Sequence, residues 1–426
     1  MAYRKGHVAV AELLRLKGDD AQSGPCGILQ GMLDGLRDHL AMDVAYLAEF
    51  RGDRRVFRFV SRSAAAPEIA VGESVSLSDS VCFQVVEGRL PELIRDAAKV
   101  PSIGDLAPVE KYGIGAHLCV PVTLGDGTLF GAMGCFSTRP DRSINRRNLE
   151  VLRMGARLAA DLIERKRKSE AHHEALSARI SGTIERGAFN VVYQPIFSIS
   201  EGRAIGVEAL TRFPDAGTRP PSAWFDEADE VGCTVELELA TIRRAVEGLV
   251  LLPEDIYLSV NVSLETLLSG KLLEVLQDTD KNRIVIELTE HEAVEDYEAL
   301  KAALETLGKR ARLAIDDVGA GYSSMRHILD LGPDFIKLDI SIVRDLHRQP
   351  SRSAFVRAMV EFAKVANSSI VAEGVENQDE LDELAKLDAA NAQGYHLCRP
   401  LPLAQILPCL AGKEQSSSEV SGRRYG

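Results

Sequence analysis

The sequence predicts an α/β protein in which a small α+β domain with an antiparallel sheet precedes a (β/α)8 barrel of the TIM type. Two observations carry this prediction. From residue 187 onward, eight short apolar runs fit strands, and most are separated by segments of helical character, such as 296–309 and 353–367. Before residue 165, strand-like apolar runs follow one another, with the hairpin signal Gly125-Asp126-Gly127 between the last two.

The composition is that of a globular protein and excludes some classes of function. The 426 residues suffice for two domains and a connector, and the apolar and charged contents of 45% and 27% are ordinary. A net charge of -13 argues against binding of a nucleic-acid polymer through its phosphates, but not against a small phosphate ligand held by metals. We therefore expect no nucleic-acid polymer among the partners.

The cysteines and the apolar segments favour a cytoplasmic location. The seven cysteines are scattered without a C-x-x-C pair, which is typical of free thiols in a reducing compartment. The first ten residues lack the apolar core of a signal peptide, and no run of about 20 apolar residues occurs that could span a membrane. We expect a cytoplasmic protein without a membrane partner.

Residues 20–165 are predicted to form the α+β domain. Apolar residues at helical spacing predict a helix near its start: Ile28, Met32, Leu36 and Leu40. Strands are predicted at four later runs, 44–50, 56–60, 118–122 and 129–136. Runs of this kind around a hairpin favour an antiparallel sheet.

A helical connector is predicted over residues 144–180. Its apolar residues step by three and four: Val151, Leu152, Gly155, Leu158, Ala159, Leu162 and Ile163. A surface helix that packs on its own domain and a dimerising connector that transmits a signal both fit this stripe. The stripe covers only about two heptads, which is too few to decide between them.

The barrel is predicted over residues 181–411, and the polar tail 412–426 is predicted to be disordered. The eight predicted strands are 191–196, 205–210, 256–262, 284–289, 313–318, 335–340, 369–375 and 392–397. Most end in polar residues: Glu208, Asn261, Glu287 with Glu290, Asp316 with Asp317, Lys337 with Asp339, Glu373 with Glu376, and Gln393. In a parallel barrel these ends meet at one face, where barrel enzymes place their active sites.

This set of side chains predicts bound metal. Several carboxylates at one mouth repel one another unless cations neutralise them, and Lys337 offsets only one charge. All of the donor atoms are oxygens, because neither His nor Cys occurs at these strand ends. Such a ligand set suits magnesium or manganese better than zinc. The adjacent Asp316 and Asp317 could hold two ions a few ångströms apart. Lys337 could orient a water or stabilise negative charge, and Glu373 could accept the proton of that water.

A structural interpretation exists for each single acid, because carboxylates at strand ends also cap the helices that follow. Six or more acids together with Asn and Lys at the ends of eight strands favour a function instead. The spacing leaves the substrate open. A magnesium-dependent enolising enzyme and a sugar-phosphate isomerase fit the same barrel.

At these residues the sequence resembles the EAL family of cyclic-di-GMP phosphodiesterases. Eight motifs occur in the family's order over residues 187–410, which is more specific than any one motif. They are Tyr193-Gln194-Pro195-Ile196, Glu208-Ala209-Leu210-Thr211-Arg212, Val260-Asn261-Val262-Ser263, Glu287-Leu288-Thr289-Glu290, Asp316-Asp317-Val318-Gly319, Lys337-Leu338-Asp339, Ala372-Glu373-Gly374-Val375-Glu376, and Gln393-Gly394-Tyr395 with Arg399-Pro400. The resemblance implies two-metal hydrolysis of cyclic-di-GMP to linear 5'-pGpG, in a homodimer that the first domain regulates.

The resemblance also implies which residues hold the metals and perform the chemistry. The ligands of two magnesium or manganese ions would be Glu208, Asn261, Glu287 and Asp316 for the first and Asp317 for the second. The catalytic residues would be Glu208, Lys337 beside the attacking water, and Glu373 as the general base. The alternative is a catalytically inactive receptor of the dinucleotide, but the ligands whose loss marks such members are present.

Further residues would bind the substrate or shape the loop beside the metals. Arg212 would meet a substrate phosphate, and Gln393 and Glu376 would support the substrate site. Glu290 would anchor the loop after Asp317, which couples the site to dimerisation in this family. The sequence departs from the family in this loop, with Val318 where Phe is usual and Ala320 where Thr is usual. The departures put the ordering of the loop in doubt more than the chemistry.

The first domain resembles a GAF domain, a class that binds small molecules or dimerises and regulates an output domain. The resemblance rests on the helix–strand–strand opening, residues 80–96, and the runs 116–122 and 131–137. Its ligand is not readable from the sequence. Cys82 fits a redox or chromophore site, but a buried structural cysteine is favoured. His39 and His117 are compatible with haem ligation, but ordinary core or surface side chains are favoured.

Overall fold

In the computed structural model of the protein, the described residues are 24–101, 103, 104, 106–214, 219–289, 296–308, 311–319 and 324–410. The chain divides into two compact units, one up to His172 and one from His173. Three of the sequence predictions fall outside the described residues: the tail 412–426, the role of Glu290, and the effect of Ala320.

The first unit is built on a six-stranded sheet whose neighbouring strands are all antiparallel, in the order β3-β2-β1-β6-β5-β4. The strands are β1 (Val44–Arg51), β2 (Arg54–Arg62), β3 (Ser74–Ser76), β4 (Leu93–Ile94), β5 (Ala116–Thr123) and β6 (Leu129–Ser137). The predicted α+β class with an antiparallel sheet is confirmed. The sequence missed β3 and β4, because strands of three and two residues are too short to show an alternating pattern.

Helices cover both faces of this sheet: α1 (Pro25–His39), α2 (Val81–Val86), α3 (Ala107–Tyr112) and the start of α4 (Arg146–Arg186). Successive side chains of a strand point to opposite faces, and on β1 both faces are apolar. Ala45 and Leu47 join the core formed with α1 and α4. Val44, Tyr46 and Ala48 join a separate core formed with α2 and α3.

The predicted connector is a single helix, α4, of 41 residues. Leu152, Ala156 and Ala159 are buried in the core of the first unit, so this part of the apolar stripe packs on its own domain. Leu158 on the same helix is exposed. Beyond His172 the helix belongs to the second unit, where Ile180 is buried. Dimerisation through this helix stays a prediction.

The second unit is a closed barrel of eight strands, as predicted. The strands are β7 (Asn190–Ser198), β8 (Ala204–Arg212), β9 (Tyr257–Asn261), β10 (Ile284–Thr289), β11 (Arg312–Val318), β12 (Phe335–Leu338), β13 (Ser369–Ala372) and β14 (Asn391–Ala392). β7 runs antiparallel to both of its neighbours, β8 and β14, and the other pairs are parallel. The expectation of a wholly parallel barrel is therefore wrong for its first strand. The five residues 199–203 form a hairpin connection, which is too short for the crossover that parallel strands need.

The last two strands are shorter than predicted because the chain leaves the barrel early. Gly374 has a φ of 66°, a left-handed conformation that ends the extended run after β13. Gly394 lies so close to the backbone of Val375 that a Cβ on it would be 2.2 Å from the Val375 oxygen. The close approach holds the segment after β14 beside the segment after β13.

Helices surround the barrel, and most follow a strand. They are α5 (Ser222–Glu230), α6 (Thr234–Leu249), α7 (Leu264–Leu268), α8 (Leu272–Val275), α9 (Tyr297–Leu307), α10 (Ser324–Leu331), α11 (Ile340–Val343), α12 (Pro350–Ala366), α13 (Gln378–Lys386) and α14 (Leu403–Leu410). Of the helices within the described residues, none has an apolar stretch long enough to traverse a lipid bilayer.

The interior of the barrel is layered, and the layering positions the site. An apolar layer is formed by Ile196, Tyr257, Val285, Ala314, Phe335 and Val371. Because strand side chains alternate with a period of two, residues two positions further along the parallel strands face the same interior. Those residues are polar: Ser259, Glu287, Asp316, Lys337 and Glu373. The interior of the barrel therefore contains a layer of polar side chains next to a layer of apolar side chains.

Candidate active site

The mouth of the barrel brings most of the predicted site residues together. They are Glu208 on β8, Asn261 at the end of β9, Glu287 on β10, Asp316 and Asp317 on β11, Lys337 on β12, Glu373 after β13 and Gln393 after β14. We call Glu208, Glu287, Asp316, Asp317 and Glu373 the acidic cluster. Three of its members, Glu208, Glu287 and Asp316, are buried.

Lys337 lies among these carboxylates and is almost fully buried. Its Nζ is close to four of the five acids, at 2.8 Å from Glu373, 3.0 Å from Glu287, 3.1 Å from Asp316 and 3.6 Å from Glu208. A single ammonium group cannot balance the charge of four carboxylates in a site shielded from water. The site therefore has the electrostatic character of a cation-binding site.

Burial and mutual repulsion oppose full ionisation of the acidic cluster. Desolvation, with repulsion from Glu208 and Asp316, raises the pKa of Glu287 to about 8, although Lys337 acts to lower it. Burial also raises the pKa of Glu373. Burial alone would lower the pKa of Lys337, but the surrounding carboxylates raise it well above its ordinary value. A divalent cation among these oxygens would displace the protons that repulsion favours.

A bulge in β11 places the two adjacent aspartates. Ile315 pairs with Ile336 and Val318 pairs with Leu338, so two residues of β11 lie opposite the single residue Lys337 of β12. Within the bulge Asp317 has a φ of 58°, a left-handed conformation that aspartate tolerates better than most residues. Oxygens of Asp316, Asp317 and Glu373 lie within 4.8 Å of one another, close enough to share one ion.

Hydrogen bonds orient the other two acids of the cluster. Glu208 accepts hydrogen bonds from Asn261 Nδ2 at 3.2 Å and from Gln393 Nε2 at 2.7 Å. Glu287 accepts one from Ser259 Oγ at 2.6 Å. Sequence reasoning missed Ser259, although its position two residues before Asn261 on the same strand is a usable signal. Gln393 Oε1 is buried and has no hydrogen-bond partner among the described residues.

Gly374 fixes the backbone directly after Glu373. Its φ of 66° is unfavourable for residues with a Cβ, and a Cβ there would lie 2.3 Å from Ile340 Cγ1. Glycine therefore permits the chain to turn so that Glu373 Oε1 reaches Lys337. Steric constraints therefore explain why residue 374 is glycine, whereas the residue before it, Glu373, contributes a carboxylate to the site.

Two cavities open at the site. One, of about 330 Å³, is lined by Glu208, Asp316, Glu373, Glu376, Gln393 and Tyr395. The other, of about 370 Å³, is lined by Arg212, Asn261, Pro221, Phe225 and Asp226 among others. Both fall within the size range of small-molecule sites. Tyr395 is exposed, and the Arg399 guanidinium lies 4.7 Å from its ring centroid.

Some predicted residues lie at the edge of the site or serve the fold. Glu376 lines the smaller cavity but forms an ion pair with Arg344 at 2.8 Å. Asp339 caps α11 by accepting a hydrogen bond from Ser341 N, so the structural interpretation holds for this acid. Arg212 Nη1 donates to the Thr211 oxygen at 2.9 Å and lines the larger cavity. Val318 is buried on β11.

The structure also places the residues singled out in the first unit. Cys82 is buried on α2 and His117 is buried on β5, and both contact Tyr46. His39 is exposed at the end of α1. In the second unit Trp224 is buried and stacks on Phe213 with ring centroids 4.6 Å apart, so its ring packs in the interior.

Comparisons with known families match both units. A family model described as the EAL domain matches residues 177–400, and one described as a GAF domain matches residues 25–164. The sequence is 29% identical to the probable cyclic di-GMP phosphodiesterase PdeG of Escherichia coli, over 60% of this chain and 52% of PdeG. It is 30% identical to an uncharacterised signalling protein of Caulobacter vibrioides, over 74% of this chain and 38% of that protein. This chain thus spans about a third to a half of the length of such relatives.

Solved structures of EAL-type proteins also align with this chain. The PaMucR phosphodiesterase in complex with c-di-GMP aligns with a TM-score of 0.50 and 28% identity, over 55% of this chain and all of that one. The EAL enzyme Bd1971 in its cAMP- and cyclic-di-GMP-bound form aligns with a TM-score of 0.52 over 87% of this chain and 93% of that one. At 18% identity the second comparison supports the fold alone.

Proposed function

The chain belongs to the EAL domain family, and from this premise we propose that it hydrolyses cyclic-di-GMP to linear 5'-pGpG with two divalent cations at the mouth of its barrel. The observation that carries the proposal is the excess of negative charge there. Four carboxylates surround Lys337, and the carboxylate of Asp317 lies beside those of Asp316 and Glu373. Glu287 and Lys337 are almost fully buried. Oxygen donors without nitrogen or sulfur suit magnesium or manganese.

The side chains at the mouth fit the proposed ions. Glu208, Asn261, Glu287 and Asp316 would hold one cation, and Asp317 would help to hold the other. When bound, two such cations lower the pKa of a water and offset charge that develops on a phosphodiester. The bulge at Asp316 and Asp317 supports this assignment, because it directs two successive carboxylates toward the site.

The protein's own groups would then orient and deprotonate the attacking water. Lys337 Nζ lies 2.8 Å from Glu373 and 3.1 Å from Asp316, a proposed metal ligand, and would there hold the water by a hydrogen bond. Glu373 would accept the proton of that water as general base. Arg212 would neutralise a phosphate oxygen of the substrate from the larger cavity. Gln393 and Glu376 line the smaller cavity, where the other end of the dinucleotide would lie.

The direct test is turnover by the purified full chain. We expect incubation with cyclic-di-GMP and manganese or magnesium to yield linear 5'-pGpG, as followed by chromatography, and a chelator to stop the reaction. Glu208→Ala removes a proposed ligand and should abolish turnover. Glu236→Ala is the matched control, because this exposed acid pairs with Lys271 away from the mouth. Binding of the nucleotide without any product would instead establish a non-catalytic receptor.

We also propose that the GAF domain regulates this activity. The match of the GAF model to residues 25–164 supports the proposal. Removal of residues 1–165 should change the rate of hydrolysis, and equal rates with and without them would contradict regulation. The cytoplasmic location and the homodimer stay predictions, for which cell fractionation and light scattering are the measurements.

A further inference from the structure

Helix α5 has two faces, and each contacts a different part of the second unit. Residues three and four positions apart share one face of an α-helix. Trp224 and Glu227 lie on one such face, and Trp224 is buried there in an apolar cluster. Ser222, Phe225 and Asp226 lie on another and line the larger cavity at the barrel mouth. A displacement of the first face would therefore displace the cavity wall.

The connector helix α4 contacts the first of these faces through Arg179. The Arg179 guanidinium forms an ion pair with Glu227, and its Cζ lies 5.3 Å from the centroid of the Trp224 ring. Ile180, the next residue of α4, is fully buried in the same apolar cluster as Trp224. The C-terminal part of α4 thus holds α5 by a charged contact and by an apolar one.

Glu227 has a second cationic partner in Arg219, which precedes α5. Arg219 also forms an ion pair with Glu227, and its Cζ lies 5.2 Å from the centroid of the Trp224 ring. Its Nη2 donates a hydrogen bond to the Ala223 oxygen at 3.0 Å. One carboxylate therefore joins two guanidinium groups that come from different parts of the chain. Because the Glu227 side chain is half-buried, loss of either arginine leaves a poorly solvated charge with one partner fewer.

Trp224 also contacts the residue after the arginine proposed to bind a phosphate. It stacks on Phe213 with an angle of 11° between the ring planes, and Phe213 directly follows Arg212, the last residue of β8. Phe213 packs edge-on against Phe225, with ring centroids 6.0 Å apart. Arg212 and Phe225 both line the larger cavity. The position of Trp224 therefore fixes the wall that α5 forms and the backbone next to Arg212.

We propose that Arg179 is a positioning residue for the substrate, which couples α4 to the larger cavity through Glu227 and Trp224. The inference rests on the proposed hydrolysis of cyclic-di-GMP, with Arg212 and α5 as parts of the substrate site. Arg179 is not among the described residues that line the cavity, so it acts on the affinity for the nucleotide and not on the chemical step. Such coupling is reciprocal, and a bound nucleotide that fixes α5 also stabilises its contact with α4.

Steady-state kinetics of the full chain test this coupling. Arg179→Met removes the charge, and we expect KM for cyclic-di-GMP to rise about fivefold with kcat unchanged, since a partly exposed ion pair contributes at the lower end of typical coupling. Arg179→Lys should restore part of the affinity because it retains the charge. Arg203→Met is the matched control. Arg203 also joins two acids, Glu201 and Asp255, but it is an exposed residue in the connection between β7 and β8.

A merely structural role predicts a different kinetic result. If Arg179 only stabilised the fold, Arg179→Met would lower the folded fraction of the protein and hence the apparent kcat, at an unchanged KM. Denaturant unfolding of the variant measures that fraction separately. The split between KM and kcat therefore distinguishes a positioning residue from a stabilising one.

Fluorescence supplies a second readout, because Trp224 is the only tryptophan of the chain. In the wild type, cyclic-di-GMP should change the emission of Trp224, and Arg179→Met should reduce this change. Without nucleotide, Arg179→Met should increase the quenching of Trp224 by acrylamide, whereas Arg203→Met should not. This comparison tests the contact between α4 and α5 without any turnover.

The outcomes separate this inference from the proposed function. A wild-type chain that neither binds nor hydrolyses cyclic-di-GMP would overturn the proposed function, and the coupling to this nucleotide with it. An active wild type whose KM is unaffected by Arg179→Met would overturn the coupling alone, whatever the emission of Trp224 shows.

Discussion

The mouth of the barrel and a group in the first unit each bury one cationic side chain, Lys337 and Arg55 respectively, but the surroundings of these two cations differ. The group in the first unit consists of Tyr46, Cys82 and His117, and we call it the thiol cluster. Lys337 has four carboxylates within 3.6 Å. Arg55 forms no ion pair with a carboxylate among the described residues, and the phenol of Tyr46, the thiol of Cys82 and the imidazole of His117 line a cavity with it. A buried cation therefore does not define a site by itself. The charge of its partners decides whether the surroundings of the cation carry an excess of negative charge.

The two clusters also respond oppositely to protons. In the acidic cluster, burial and repulsion raise the pKa of Glu287, so its acid form is favoured. In the thiol cluster, hydrogen bonds and Arg55 lower the pKa of Cys82, so its basic form is favoured. The first arrangement needs added positive charge to ionise fully, and the second already contains it. The following predictions test this contrast.

The largest expected effect concerns the proton acceptor at the barrel mouth. Glu373→Gln removes the carboxylate but keeps the shape, so turnover should fall by about 10²- to 10⁴-fold. Nucleotide binding should persist, because the proposed metal ligands are retained. Steady-state hydrolysis and equilibrium binding measure the two quantities. A variant that loses binding but turns over bound nucleotide at the normal rate would contradict the assigned role.

Lys337→Met tests the charge balance of the acidic cluster. Without divalent cations the variant should lose about 3–5 kcal/mol of the free energy of unfolding, because the buried carboxylates lose their one cation. Manganese should restore part of this loss. Denaturant unfolding with and without manganese gives both values. Lys271→Met is the control, since that lysine is exposed and pairs only at the surface. An equal loss in both variants would show that Lys337 does not balance the cluster.

His117→Gln tests the proton response of the first unit. Burial lowers the pKa of His117 to about 4 in the folded protein, against an ordinary value of about 6.5. The unfolded chain therefore binds more protons between these values. The stability that the neutral imidazole contributes is complete above pH 6.5 and declines by up to about 3 kcal/mol as the pH falls toward 4.

In the glutamine variant this decline should disappear, because the amide does not titrate. Denaturant titration at pH 7, 5.5 and 4 gives the free energy of unfolding of the first unit and so measures this decline. An identical pH dependence in both proteins would assign the decline to other groups.

The smallest expected effect comes from the backbone beside Glu373. Gly374→Ala should cost about 1–3 kcal/mol, because its positive φ disfavours a Cβ and Ile340 occupies the space. Gly202→Ala is the matched control, since its φ is 62° but nothing lies within 4 Å of a Cβ there. The difference in unfolding free energy isolates the steric part. Equal costs at the two positions would mean that Ile340 yields without strain.

Much of the barrel and its mouth was predictable, because strand ends carry local signals. Glu208, Glu287 and Lys337 each lie near the end of an apolar run that predicts a strand. Because the side chains of a strand alternate with a period of two, all three fall on one interior layer of the barrel. The sequence analysis did not predict that β7 runs antiparallel to β8. The connection between these strands is too short for the crossover that parallel strands need, so the sequence did carry a signal for this orientation. The bulge in β11 was not predictable from alternation, since it interrupts the alternation.

The thiol cluster illustrates what sequence spacing does not reveal. Tyr46 lies 36 residues from Cys82 and 71 from His117, so no local pattern joins them. The sequence favoured a structural role for Cys82 because no histidine adjoins it along the chain. Only the pairing of β1, β5 and β6 and the packing of α2 bring its partners into contact.

The extra residue in β11 has a consequence for how the barrel could diverge. If one of the two residues opposite Lys337 were deleted, β11 would return to regular register with β12 and present one inward carboxylate instead of two. Under the proposed two-metal mechanism, the number of bound cations would then change without loss of any other proposed ligand. In that case the backbone register, as well as the number of acids, would set how many ions the mouth accommodates.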